Sequence, residues 1–351
     1  MSLRRLAFLA LLSVLSSLFY VQRPREAFFT LAPVESLRLK QGRDEEADRQ
    51  ALARAVAGAC GMTIPADLDF DPFLVWADFL AEPGQELALA VPVSRTEGLL
   101  ALLLAKDKGW SVAVKVGPDE LGIPTSLATL TLPGLSRTAL VLTDLADQLE
   151  GAYSRRENCT IYVMDKSWRK VWSKEIESEA YWNLAWDRPP GQGWVRLAGS
   201  ADWRAQQEDG GLCLSVLFRN TLAWAPAAPD GRLPETGKFA QTKQVNGHEV
   251  FRWDPALGLF VLGYARTRHA TRMRANRHAE MSPGDPLPAD QPLAILADGA
   301  DEPPALIGQG RLLQVFAAGR IGFVPASSVR RLPSRPSDFP GGCHAWLLPR
   351  P

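Results

Sequence analysis

Histidine is scarce in this chain, with four in 351 residues, and tyrosine hardly less so, with five. There is no Gly-x-Ser-x-Gly elbow, no Walker phosphate loop and no His-Glu-x-x-His pair. The local signatures of serine hydrolases, P-loop nucleotide enzymes and zinc peptidases are therefore missing. Nucleophilic catalysis needs a Ser or Cys near a base. Of His248, His269, His278 and His344, the last stands next to Cys343, but a dyad partner normally comes from elsewhere in a fold. Cysteine is sparse too: Cys60, Cys159, Cys213 and Cys343 are widely spaced and form no Cys-x-x-Cys pair, which excludes the usual zinc spacing. Lys plus Arg and Asp plus Glu are 39 each, so no overall basic field exists for nucleic acid. The expectation is a protein without catalytic residues, metal or cofactor, and with no nucleic-acid partner.

What the chain does have is tryptophan, 11 residues, and a hydrophobic content of 46%, enough for a proper core. Its first five residues include Arg4 and Arg5, and residues 6–21 carry no charge. A basic start followed by an apolar run is the export pattern, so residues 1–22 read as a signal peptide or a signal anchor. That places the protein in the periplasm or cell envelope, with membrane contact through this segment alone. Export permits disulfides, and Cys159 with Cys213, both in strand-like stretches of one region, is the expected pair.

Residues 23–62 read as a spacer and one helix. Asp44, Glu45 and Glu46 lie at its start, and Leu52, Ala53, Ala55, Val56 and Ala59 form an apolar stripe at helical spacing, closed by Gly61. From residue 63 to 270 the pattern is β: short runs such as 86–93, 98–104, 110–116, 160–164, 212–218 and 249–253. They are separated by turn signals including Pro133-Gly134, Asp209-Gly210-Gly211 and Asn246-Gly247. Many short strands with regular turns mean a sandwich, barrel or propeller. Asp67, Asp69 and Asp71 alternate but lack the glycine of a calcium loop. They read as a solvated loop, as do Glu175, Glu177 and Glu179 as a solvated face.

A faint beat joins Trp76-Ala-Asp78, leading into 86–90, to Leu142-Thr-Asp144, leading into 161–165 and 170–175. It resembles FG-GAP- or VCBS-type β-propeller repeats, which implies four or five blades of about 40 to 45 residues over 64–270. Further on, Pro292 to Gly299, Arg311 to Phe316 and Gly319-Arg-Ile-Gly-Phe-Val324 before Pro325 resemble a bacterial SH3 domain over about 290–332. Phe323 stands where tryptophan is common in that hairpin. Gly319 and Gly322 are expected to supply positive φ at its two ends. The resemblance implies recognition of cell-wall peptide or an envelope protein, for which Phe316, Arg320 and Phe323 are the candidate binding residues.

Between these regions, 271–289 reads as a basic, Pro-rich linker, and 333–351 as a tail. Arg266, Arg268, Arg272, Arg274 and Arg277 fall within twelve residues. Arginine favours phosphate and carboxylate partners, so this stretch is either a contact for an anionic surface or a solvated linker. The fold class is thus mainly β, propeller-like or sandwich, followed by a small SH3-like barrel. The functional expectation is a non-enzymatic bacterial envelope protein acting as a binding or scaffold module. The alternatives are an envelope hydrolase with an SH3-type targeting module and a structural subunit of a surface assembly.

Overall fold

The computed structural model describes residues 27–29, 45–80, 84–106, 109–148, 153–184, 193–208, 211–227, 232–275, 284–298, 311–337 and 339. The expected signal or anchor segment lies outside them. Among the described residues no helix is long and apolar enough to cross a membrane.

One α-helix, α1 (Glu46–Ala59), stands before the sheets. Its start is fixed by Asp48, whose carboxylate accepts the Glu45 N–H at 3.1 Å. Its end is fixed by Gly61 at φ +79°, with the Met62 N–H returning to the Ala57 carbonyl at 2.8 Å. The first sheet has the order β1-β5-β4-β3-β2, from β1 (Ala27–Phe29), β2 (Phe73–Ala77), β3 (Glu86–Pro92), β4 (Gly98–Lys106) and β5 (Gly109–Val116). Leu87, Leu89, Leu99 and Leu103 pack on Leu52 and Val56 of α1. The alternate residues Ala88, Ala90, Leu100 and Leu102 pack on Leu140, Leu142, Tyr162 and Met164 of the second sheet. Burial on both faces explains why β3 and β4 read as almost unbroken apolar runs.

The second sheet is an eight-stranded antiparallel meander in chain order. Its strands are β6 (Ile123–Thr131), β7 (Thr138–Gln148), β8 (Tyr153–Met164), β9 (Trp168–Asn183), β10 (Trp194–Glu208), β11 (Gly211–Ala225), β12 (Ala240–Asp254) and β13 (Leu259–Val261). These strands do not fall into the four-stranded units of 40 to 45 residues implied by the repeat. Each pairs with its chain neighbour, so all eight belong to one sheet. Asn246-Gly247, expected as a turn, lies inside β12. There the Phe218 ring covers the bare glycine so closely that a Cβ would sit 2.3 Å from it.

β9 and β10 pair only from 177–183 to 194–200. Beyond that the sheet forks. The first part of β9, with β7 and β8, packs against the rest of β11, β12 and β13. Cys159, Ile161, Val163 and Trp172 meet Leu214, Val216, Phe251 and Phe260 in the largest core. At the fork, Lys174 of β9 reaches Glu249 of β12 at 2.9 Å and lies 5.2 Å from the Phe218 ring centre. Past the fork, β8 to β12 continue as a single layer whose residues are mostly exposed or half-buried.

The third sheet has the order β19-β18-β17-β14-β20, from β14 (Gly263–Thr267), β17 (Pro292–Asp298), β18 (Leu312–Ala317), β19 (Arg320–Pro325) and β20 (Val329–Leu332). It begins before the expected linker, and that linker holds the paired strands β15 (Thr271–Met273) and β16 (Asp285–Leu287). A 3₁₀ turn at Ala326–Ser328 leads into β20. Leu293, Ile295, Leu313, Val315, Val324 and Val329 form this sheet's own core. Its other face docks on the second sheet, where Ala294, Phe316 and Phe339 join the large core.

Candidate functional site

The third sheet gathers most of the residues singled out in the sequence. The segment from Arg268 to Gln291 is a loop of this sheet, and its arginines tie it down. Thr267 anchors both ends: its hydroxyl donates to the Pro288 carbonyl at 2.6 Å and accepts the Gln291 N–H at 2.8 Å. Arg266 donates to the Asp290 carbonyl at 2.7 Å and to its carboxylate at 3.2 Å. Arg268 donates to the Val329 carbonyl at 2.8 Å and Arg272 to the Gly284 carbonyl at 3.4 Å. The Arg274 backbone exchanges two hydrogen bonds of 2.9 Å with Phe323. Arg277 lies outside the described residues.

The candidate binding residues separate. Phe316 is buried in the large core and faces the second sheet. Arg320 is exposed and meets the Asp285 carboxylate at 2.7 Å. Phe323 is half-buried and lies on the edge strand β19 with Ile321, which is 45% exposed and sits directly opposite Phe316, so both share the face of Phe316. The hairpin turns through Ala318 at φ +47° and Gly319 at φ +80°. Gly322, expected to supply a second positive φ, does not appear among the positive-φ glycines. It is bare because a Cβ there would sit 2.4 Å from the Met273 side chain and 2.7 Å from the Arg274 carbonyl. Arg311, Arg320, Arg330 and Arg331 of this module have side chains 49% to 69% exposed. Two of them, Arg311 and Arg331, converge on the buried Asp298 carboxylate.

Comparison with protein-family models, curated proteins and solved structures gave no match.

Elsewhere, Ser215 and His248 face each other at 2.8 Å on an exposed face of β11 and β12. The two strands run as a regular antiparallel ladder around them, with no turn or helix end that would gather several backbone N–H groups at one point. The pair therefore lacks the convergent donors that an oxyanion requires. Among the described residues no cluster of His, Cys, Asp and Glu could hold a metal ion. The expected Cys159–Cys213 disulfide is absent, and both are free thiols. Cys159 faces the core together with Leu212 and Leu214, but Cys213 lies between those two along β11 and takes the opposite face, so the thiols do not meet. Cys159 points into the large core, whereas Cys213 donates toward the Gln206 carbonyl at 3.5 Å. Burial pushes the Cys159 thiol up to about 12.

A second surface was not legible as a site. In the single layer, Tyr181 and Arg196 both donate to Glu179, at 2.7 and 2.8 Å. Partial burial pushes Glu179 upward, but these two donors outweigh it and hold the carboxyl below its usual range. Tyr153 and Phe239 flank the Tyr181 ring at 5.9 and 5.5 Å. The sequence signal available was the density of Trp182, Trp194 and Trp224 in this stretch.

Proposed function

We propose that this chain is a non-enzymatic, exported cell-envelope protein in which residues 263–332 form an SH3-like module that recognises cell-wall peptide or a protein partner. One observation carries the reading: the strand order β19-β18-β17-β14-β20, with the last strand returning to pair with the first after a 3₁₀ turn. An SH3-like barrel has that order and that turn, together with a long loop after its first strand, here the loop lashed by Arg266, Arg268 and Arg272. The two large sheets act as the scaffold that presents the module. The exposed edge strand β19 of the hairpin, with Ile321, Phe323 and Arg320, is the contact surface, and Arg311, Arg330 and Arg331 supply attraction for anionic groups on the partner. Phe316 shares the face of Ile321 but is covered by the second sheet, so it does not meet the ligand.

The experiment is co-sedimentation of the full chain with purified peptidoglycan, beside an Ile321→Asp, Phe323→Ala double variant. The expected result is that the wild type pellets and the double variant stays in solution. Equal pelleting of both would remove the hairpin face from the reading. A wild type that stays in solution would overturn wall recognition and leave the protein partner.

A further inference from the structure

The far end of the single layer has a chemistry of its own. Beyond the fork, residues opposite each other across an antiparallel ladder share a face. Trp182, Val195, Trp224 and Ala240 form the outermost row of one face, next to the terminal row of Asn183, Trp194 and Ala225 on the other, and Ala180, Leu197, Leu222 and Lys243 form a row further in. Trp182, Val195, Leu197 and Leu222 are only half-buried there. Trp224 is 39% exposed, and Leu233, in the loop between β11 and β12 at the same end, is 44% exposed. Two of the four exposed large hydrophobic side chains among the described residues thus sit at one tip. Isolated exposed apolar residues need no explanation, but a cluster at a projecting end does.

Charge is segregated at this tip as well. The chain as a whole is neutral. Exposed Arg232, Lys238 and Lys243 lie at this end, and Glu235 is the exposed carboxylate among the described residues of the same loop. Arg196 is balanced by Glu179. An apolar, tryptophan-bearing edge with a cationic collar is complementary to an anionic bilayer. Trp settles at the headgroup level, and Lys and Arg are drawn to the negative surface. A second copy of the chain is disfavoured, because two like-charged collars would meet. We infer that the tip formed by Trp182, Trp224 and Leu233, with Lys238 and Lys243, docks at the surface of an anionic phospholipid bilayer, a membrane contact separate from the N-terminal segment and independent of wall recognition.

The test is quenching of tryptophan fluorescence by vesicles carrying brominated acyl chains, using the full chain. Residues 6–21 contain no tryptophan, so insertion of that run gives no quenching of its own. On phosphatidylglycerol vesicles the wild type is expected to be quenched, and Trp224→Phe to lose about half or more of that quenched component, because Trp224 is the most exposed ring of the row. Lys238→Gln with Lys243→Gln is expected to weaken partition about thirtyfold, at the usual attraction per cation near an anionic surface. On phosphatidylcholine vesicles little quenching is expected. Equal quenching of wild type and Trp224→Phe, equal partition of the lysine variant, or equal quenching on both vesicle types would each overturn the inference.

Discussion

Replacing Glu249 by alanine would strip the counter-charge from Lys174 at the point where the second sheet forks. The two side chains are 11% and 9% exposed and meet at 2.9 Å. Phe218 closes one side of the ammonium. Deleting one partner of a buried pair leaves a charge without compensation and costs about 3 to 5 kcal/mol. The slight exposure of this pair argues for the lower end, about 3 kcal/mol. For a folded unit of this size that corresponds to a fall of roughly 6 to 12 °C in melting temperature. Lys174→Met with Glu249→Leu removes both charges and keeps the volume, and it should melt within about 4 °C of the wild type. Thermal melts of the full chain followed by tryptophan fluorescence check this, since Trp172 and Trp203 pack beside the fork. A drop of less than about 2 °C for Glu249→Ala would mean that water already compensates the pair. A double variant melting as low as the single one would refute the orphan-charge argument.

Further outcomes follow from other positions. Gly98 and Gly122 approach so closely that a Cβ on Gly98 would lie 2.2 Å from the Gly122 carbonyl; Gly98→Ala should cost about 1 to 3 kcal/mol in urea unfolding, and an unchanged midpoint would contradict this packing. Asp144 is buried and its pKa is raised by desolvation, even though it accepts the Gly122 N–H. Its contribution to stability is therefore lost as pH rises from its unfolded value near 3.8 through its folded value. Asp144→Asn keeps the acceptor and should be more stable than wild type at pH 7, with the gain vanishing near pH 3; a gain independent of pH would count against desolvation as the cause. Ala318 occupies a left-handed position that suits Asn or Gly, so Ala318→Asn should stabilise the hairpin by about 0.5 to 1 kcal/mol in thermal melts. Alkylation of the denatured, unreduced protein should modify both Cys159 and Cys213, and a peptide cross-linked through them would refute the outward facing of Cys213 in β11.

Periodicity located the elements whose faces are unequal. The stripe of Leu52, Ala53 and Val56 marks α1, and the closing Gly61 takes the expected role. The apolar runs of β3, β4 and β5 were visible because both faces, or nearly so, are buried. Strand length was not visible. In β9 the stretch from Glu177 to Asn183 lies in the single layer, where nearly all residues are half-buried or exposed and no clear alternation is imposed. The same holds for Lys243 to Asn246 of β12, so Asn246-Gly247 read as a turn. The hairpin of the third sheet was legible from Gly319 and its neighbours, but its partners were not. Only the fold could show that β14 belongs to that sheet, that Phe316 faces inward, and that the basic stretch is a lashed loop with Arg266 held by Asp290.

The fork gives the second sheet a lever arm. Val216 lies at its root and Trp224 eight residues on, so the tip stands about 25 Å away at the normal rise of a strand. Along that distance the load is carried mainly by covalent chain and ladder hydrogen bonds, with no second sheet among the described residues to share it. A push on Trp224 would therefore arrive at Lys174 and Glu249 as a bending moment, and that buried ion pair is the hinge pin that resists it.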